Sequence, residues 1–165
     1  MADDVPPAEL KQRLWDEVRK EPFGMLALVG GAAHHFQPMA CYADVDHGAI
    51  WFFTKNGTDL VRDTGSGHEA MFILQSKDQE FQACIDGYLV QDYDRARLEL
   101  YWSSTISAWF PEGKDDPELT MLKLQAGDAR VWASKRGPLK FGFEVAKANA
   151  THTEPNITTK ADIPL

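Results

Sequence analysis

The residues best suited to chemistry lie in one stretch, Lys55 to Arg62, which reads KNGTDLVR. A lysine, an arginine, the hydroxyl of Thr58 and the amides of a glycine turn are the donors that proteins use to bind anions. An apolar strand-like segment, Ile50 to Thr54, precedes this turn, and Leu60 begins a short helical pattern after it. A buried strand that opens into a polar loop and a helix start is a common place to hold an anionic cofactor. The alternative is a core strand followed by an ordinary surface turn.

Other catalytic patterns do not occur in the sequence. The five histidines have no metal-binding spacing to one another or to a CxxC pair, so we expect no metal site. A GxSxG elbow, a P-loop and a dinucleotide-binding fingerprint are all missing. The acidic loop over residues 110–118 could supply a carboxylate pair, but a solvated turn is the simpler interpretation. The catalytic residues of any reaction therefore stay unknown at this point.

Aromatic side chains are concentrated in two places. Trp51, Phe52 and Phe53 follow one another in a strand, and Trp102 and Trp109 lie near the end of a predicted helix. Such clusters usually form a core or a subunit interface. They also wall the pockets of flat aromatic ligands, because planar rings stack on apolar and aromatic side chains. The residues alone leave both interpretations open.

Size and charge limit the class of protein. The 165 residues predict a single domain over residues 1–165, with a core over about 7–150 and a loosely ordered tail over 151–165. The net charge of -8 disfavours nucleic acid and anionic membranes as partners. No run approaches the roughly 20 apolar residues that a membrane-spanning helix needs. The acidic N-terminus is unlike a signal peptide, and Cys41 and Cys84 are expected as buried free thiols, so we expect a cytoplasmic protein.

The elements that position the candidate site residues are predicted to be mainly short strands. Apolar alternation and glycine or proline turns predict about six strands, mostly joined by hairpins, and three or four helices. Gly87, inside one long strand, is expected to mark a bulge. This pattern favours a mainly β fold, an antiparallel barrel with flanking helices, over a doubly wound sheet. The predicted helices cover residues 7–20, 58–65, 94–109 and 139–150, and the predicted strands cover 23–29, 36–45, 50–54, 68–75, 81–91 and a hairpin over 119–133.

Four segments occur in an order that is typical of one family. They are Gln37-Pro38-Met39, then Trp51-Phe52-Phe53-Thr54, then the strand around Gly87, and finally AWFPEGKDDPEL over residues 108–119. Together they resemble the bacterial general stress proteins of the pyridoxamine 5'-phosphate oxidase-like, FMN-binding split-barrel superfamily. The resemblance covers roughly residues 7–150 and implies a six-stranded antiparallel split barrel that works as a homodimer. FMN, or in some members FAD, would lie in grooves at the dimer interface.

The resemblance also implies which residues meet the flavin. Any chemistry would be the redox chemistry of the flavin itself, so an FMN-dependent oxidoreductase of unknown substrate is compatible with the family. The expected positions are Gln37, Pro38 and Met39 beside the ring, Phe52, Phe53 and Thr54 beneath it, Gln75 close to it, Lys55, Thr58, Leu60 and Arg62 at the phosphate, and Trp109 from the partner chain as a lid.

Two departures from the family pattern affect the phosphate. The family usually has arginine where this chain has Gln37, and a lysine where this chain has Asp59-Leu60. An FMN phosphate carries close to two negative charges. Each charge-assisted hydrogen bond is worth about 1.5–3 kcal/mol, so losing two costs on the order of a hundredfold or more in affinity. The alternative is therefore a split-barrel dimer that has lost FMN and binds FAD or another flat ligand, or acts as a stress-response interaction module.

Overall fold

The structure is a computed structural model that describes residues 5–31, 35–134, 138–155 and 157–165. Strands predominate, and five helices flank them within these ranges. In chain order the elements are α1 (Pro7–Lys20), β1 (Phe23–Leu28), β2 (Gln37–Ala40), β3 (Tyr42–Asp44), β4 (Ala49–Lys55), α2 (Asp59–Thr64), β5 (His68–Gln75), β6 (Phe81–Gln91), α3 (Arg95–Tyr101), α4 (Ser104–Ser107), β7 (Leu119–Ser134), α5 (Pro138–Thr151) and β8 (Thr158–Pro164).

All of these strands belong to one antiparallel sheet. Its order is β2-β1-β5-β6-β7-β4-β3, and β8 pairs with the second half of β7. β2 and β3 lie at opposite ends of this order, yet only Cys41 separates them in sequence. The sheet must therefore curl until its two edges meet, which makes a barrel that is split where β2 passes β4. The predicted mainly β, antiparallel split barrel with flanking helices is confirmed.

The described residues form eight strands where about six were expected, and two of the differences from the prediction add strands. The predicted strand 36–45 breaks at Cys41 into β2 and β3, because its two halves pair with different neighbours, β1 and β4. The tail is not loosely ordered as expected, since residues Thr158 to Pro164 form β8. Without β8, the second half of β7 would leave its backbone N–H and C=O groups unpaired along a free edge.

The hairpin predicted over residues 119–133 is also wrong, since this segment is the single long strand β7. Ala126-Gly127-Asp128 has local turn propensity, but β6 pairs with β7 on both sides of it. The register between β6 and β7 shifts between Ile85 and Gly87, so the bulge expected at Gly87 is confirmed. A Cβ on Gly87 would lie 2.4 Å from the carbonyl oxygen of Gln125, which explains the glycine.

The barrel interior is filled by large apolar side chains. Phe52, Phe72 and Phe81 are fully buried. α1, predicted with these same bounds, adds an apolar stripe that includes Leu10 and Leu14 to this core. Pro7 starts the helix at a position that needs no N–H donor, and the residue before Pro22 ends it.

A second, smaller cluster on the outside of the barrel fixes α3. Leu98 packs against Trp51 and Met121 on the outer face of β4 and β7. The buried carboxylate of Asp44 accepts the indole N–H of Trp51 at 3.3 Å and pairs with the Arg97 guanidinium at 2.8 Å. The helix predicted over 94–109 is divided into α3 and α4, because Ser103 caps α4 by accepting the N–H of Ile106.

Candidate functional site

The split in the barrel brings together residues that are distant in the sequence. Tyr42 pairs with Trp51, and extending this register places Pro38 level with Lys55. β2 and β4 approach each other here, but they form no hydrogen-bonded ladder. Their facing ends, Gln37–Pro38 and Thr54–Lys55, therefore border a break in the hydrogen-bonded barrel wall that we call the β2–β4 gap.

Consecutive side chains of β4 point to opposite faces of the sheet. Phe52 points into the barrel, with its ring centroid 5.3 Å from that of Phe72. Phe53 points outward and meets the ring of Tyr42 edge-on at 5.2 Å. Phe52 and Phe53 therefore do not lie beneath one ligand together, as the resemblance implies, and only Phe53 offers a half-exposed ring.

On β2 the same alternation separates the three expected ring contacts. Pro38 is exposed on the outer face. Met39 is buried in the core, and the Gln37 side chain lies 3.8 Å from its sulfur atom. Met39 can therefore contact a ligand in the gap only through its main chain, whereas Pro38 and Gln37 remain at the surface or half-buried.

Gln75 lies on the same outer face of the sheet as Pro38. Pro38 is in register with Met25, which is in register with Ile73, and Gln75 follows two residues later on β5. Two strand spacings and two residues correspond to roughly 12 Å across the sheet surface. Gln75 is exposed on this face. Because β1 lies between β5 and β2 in the sheet, Gln75 is separated from the β2–β4 gap.

The segment from Lys55 to Arg62, the 55–62 loop, has the local structure that the sequence predicts. Thr58 caps α2, because its hydroxyl oxygen accepts the N–H of Val61 at 3.3 Å. Leu60 is buried in the core, so its side chain does not face the loop. The cap and this apolar anchor hold the loop at the end of β4.

Both cations of the 55–62 loop are engaged by carboxylates. Lys55 Nζ lies 3.2 Å from Glu118 Oε2. Arg62 donates to Asp59 Oδ1 at 2.7 Å, and its Nε lies 3.5 Å from Asp63 Oδ1. The hydrogen bond with Asp59 raises the pKa of Arg62. Three carboxylates thus surround two cations, and the formal local charge is -1.

Trp109 is presented to solvent at the end of α4. Its neighbour Phe110 is buried, whereas 68% of Trp109 is exposed. α4 is carried by α3, which the ion pair between Arg97 and Asp44 ties to the barrel. A large exposed indole on a well-anchored segment is a frequent mark of contact with another molecule.

A groove of about 560 Å³ on the outer face of β6, β7 and β8 was not expected from the sequence. Arg130 and Asp162 form a bidentate ion pair there at 2.6 and 2.9 Å. Cys84, expected to be buried, is half-buried and lines this groove, and burial raises its pKa. One pattern in the sequence could have predicted the strand β8 that borders this groove. Thr159, Ala161 and Ile163 alternate with other residues in the tail, which is typical of a strand.

The match to a family model decides which family is involved. Residues 9–156 match the model described as pyridoxamine 5'-phosphate oxidase like. The chain belongs to this pyridoxamine 5'-phosphate oxidase-like family. No curated protein sequence matches the chain.

Solved structures of the pyridoxamine 5'-phosphate oxidase-like family share the fold. A Jannaschia sp. CCS1 protein named for general stress protein 26 is 31% identical, with a TM-score of 0.81, over 96% of this chain and 99% of that chain. The general stress FMN/FAD binding protein of Xanthomonas citri is 32% identical, with a TM-score of 0.73, over 79% of this chain and 93% of that chain. General Stress Protein 26 from Bacillus anthracis str. Sterne is 16% identical, with a TM-score of 0.64 over 74% of this chain and 92% of that chain, and shows the fold alone.

The described residues contain neither a metal-binding cluster nor a membrane-spanning helix. No three or more His, Cys, Asp or Glu side chains among the described residues are grouped so that they could hold a metal ion. No helix in the described part of the chain combines the length and the apolar character needed to cross a bilayer.

The family's flavin can be tested against the residues present. Pro38, Phe53 and the indole of Trp109 are apolar surfaces of the kind that contact a planar ring. The 55–62 loop does not fit a phosphate dianion in the same way, because its cations are outnumbered by carboxylates. The ring end of the site therefore fits a flavin, and the phosphate end does not fit FMN.

Proposed function

We propose that this chain binds a flavin in the β2–β4 gap and works as a homodimer whose second subunit closes the gap. The observation that carries the proposal is the missing ladder between β2 and β4, which leaves Pro38 exposed and Phe53 half-buried beside a break in the barrel wall. The FMN/FAD binding protein of Xanthomonas citri, 32% identical to this chain, supports the same ligand class.

The residues of the chain would bind and orient this flavin. Pro38 and Phe53 would contact the ring, and Gln37 and Thr54 would offer polar atoms at the edge of the gap. A bound flavin would supply redox chemistry, which would make the protein a flavin-dependent oxidoreductase.

The second subunit is needed because one chain leaves the gap and Trp109 uncovered. Phe23 and Met25 on the outer face of β1 are 59% and 38% exposed, so this face presents two large apolar side chains to solvent. A second copy packed on this face would cover them and bring its own Trp109 region towards the gap. We also propose a cytoplasmic location, in keeping with the free thiols Cys41 and Cys84.

Titration of the purified protein with riboflavin, FMN and FAD tests the flavin proposal. We expect quenching of flavin fluorescence, with at least one of the three binding at micromolar or lower concentration. Trp109→Ala should weaken this binding about 5- to 10-fold, as expected for loss of one stacked aromatic ring. Phe143→Ala, which removes another exposed aromatic ring, is the matched control and should leave binding unchanged.

The opposite result would be a colourless protein that quenches none of the three flavins at micromolar concentration. That outcome would favour a split barrel that has lost its flavin and acts as an interaction module. The carboxylate pairing of Lys55 and Arg62 is the observation that favours this second function.

A further inference from the structure

We infer that Asp59 and Glu118 make the 55–62 loop reject a phosphate dianion, so that the site selects a flavin whose ribityl end is uncharged. This inference rests on the proposed flavin-binding function and concerns the specificity of the same site. In chemical terms, riboflavin should be preferred over FMN.

The first step of the argument is the charge of the loop. Lys55 and Arg62 are the only basic residues between Thr54 and Thr64. Lys55 is paired with Glu118, and Arg62 is paired with Asp59 and lies near Asp63. Exposed ion pairs of this kind are weak, so a phosphate could displace the carboxylates from the cations. The carboxylates of Asp59 and Glu118 would nevertheless stay within or beside the loop and repel the phosphate.

The second step is that Glu118 is held beside the loop by its main chain. Its carbonyl oxygen accepts the N–H of Asn56 at 2.7 Å. Its own N–H donates to Asp116 Oδ1 at 2.9 Å, and Asp116 is itself buried. The backbone of Glu118 is therefore fixed beside the loop, and its carboxylate stays within one side-chain length of it when a ligand approaches.

The third step concerns Asp59, which follows the cap residue Thr58 and opens the first turn of α2. A carboxylate at this position interacts favourably with the N–H groups of the first turn. Asp59 therefore adds a negative charge to the 55–62 loop directly after the cap residue Thr58. Gln37, on the other side of the gap, adds no positive charge.

The test compares the dissociation constants of riboflavin and FMN, measured by fluorescence quenching at low salt and at high salt. The variants are Asp59→Asn, Glu118→Gln and their combination. Asp46→Asn is the control, since Asp46 lies beyond the opposite end of β4 and the substitution changes the protein's charge by the same amount.

We expect the wild-type protein to bind FMN no more tightly than riboflavin. Asp59→Asn and Glu118→Gln should each tighten FMN binding on the order of 5- to 10-fold, and this gain should shrink at high salt. Riboflavin binding should change by less than about twofold, because a neutral ribityl chain is insensitive to these charges. Asp46→Asn should leave both constants unchanged.

Three results would overturn the inference. One is a wild-type protein that binds FMN more tightly than riboflavin, and another is an equal gain for riboflavin and FMN in the variants. Either would leave the proposed flavin function standing. The third, absence of quenching by both flavins in the wild type and in all variants, would overturn the proposed function and this inference together.

Discussion

Phe52 and Phe53 are adjacent in sequence, but they contribute to different properties of the molecule. Phe52 is fully buried and meets Phe72 in the barrel core. Phe53 belongs to the outer cluster under α3 and is only half-buried. Stability should therefore depend mainly on Phe52, and ligand binding mainly on Phe53.

Alanine substitution at the two positions separates these properties. Phe52→Ala should lower the free energy of unfolding by about 3–5 kcal/mol, because it leaves a large cavity in the core. Phe53→Ala makes the same substitution at the neighbouring position and is the matched control. It should lower the free energy of unfolding clearly less. Urea denaturation followed by tryptophan fluorescence measures both values. Equal losses at the two positions would mean that the outer cluster is packed as tightly as the core.

The pairing of Lys55 with Glu118 illustrates what the sequence could not predict at this scale. The type of each residue in the 55–62 loop and the cap at Thr58 follow from local patterns. Glu118, however, lies 63 residues further along the chain, and no local signal places its carboxylate beside Lys55. The resemblance to the family predicted the loop, but only the fold shows that its cations are neutralised.

Among the elements, β8 best shows how long-range pairing overrides composition. Four of its seven residues are polar and one is a proline, yet β7 pairs with them from Asp128↔Pro164 to Ser134↔Thr158. Ile163 is 1% exposed and belongs to the main core, whereas Asp162 on the opposite face is exposed. β5 and α1, by contrast, were predicted with the correct bounds, because their apolar periodicity is strong and local.

Substitutions in β8 test whether it is an integral part of the barrel. Ile163→Ala should lower the free energy of unfolding by about 2–4 kcal/mol, as expected for a buried aliphatic side chain. Asp162→Asn, one residue away, should leave the free energy of unfolding nearly unchanged, because its ion pair with Arg130 is exposed. Chemical denaturation monitored by circular dichroism is the measurement. If Ile163→Ala were as mild as Asp162→Asn, β8 would be a loosely attached tail.

At the scale of the whole molecule, the proposed dimer would associate through the outer face of β1 and β5. Met25 and Ile73 are in register there, so a charge at Met25 would lie in the middle of an apolar row. Met25→Glu should therefore turn a dimer into a monomer of 18.5 kDa and weaken flavin binding at the same time. Analytical ultracentrifugation at low micromolar concentration measures the first effect.

The control for this prediction is Phe143→Glu, which places the same charge on an exposed apolar residue of α5. It should leave both the mass in solution and the affinity for flavin unchanged. A wild-type protein that sediments as a monomer, yet binds flavin, would show that one subunit is enough to form the site.

The pairing of β4 with β7, which is distant in the sequence, has a consequence for synthesis in the cell. The aromatic strand β4 finds its partner β7 only after a long delay, since Phe52 pairs with Leu122, 70 residues later. At a synthesis rate of roughly 5–20 residues per second, these aromatic residues wait about 4 to 14 seconds for their partner strand. The barrel cannot close before then, so folding of this chain is governed by late, long-range pairing. Until β7 is made, the nascent chain exposes the aromatic side chains of β4, which chaperones can bind.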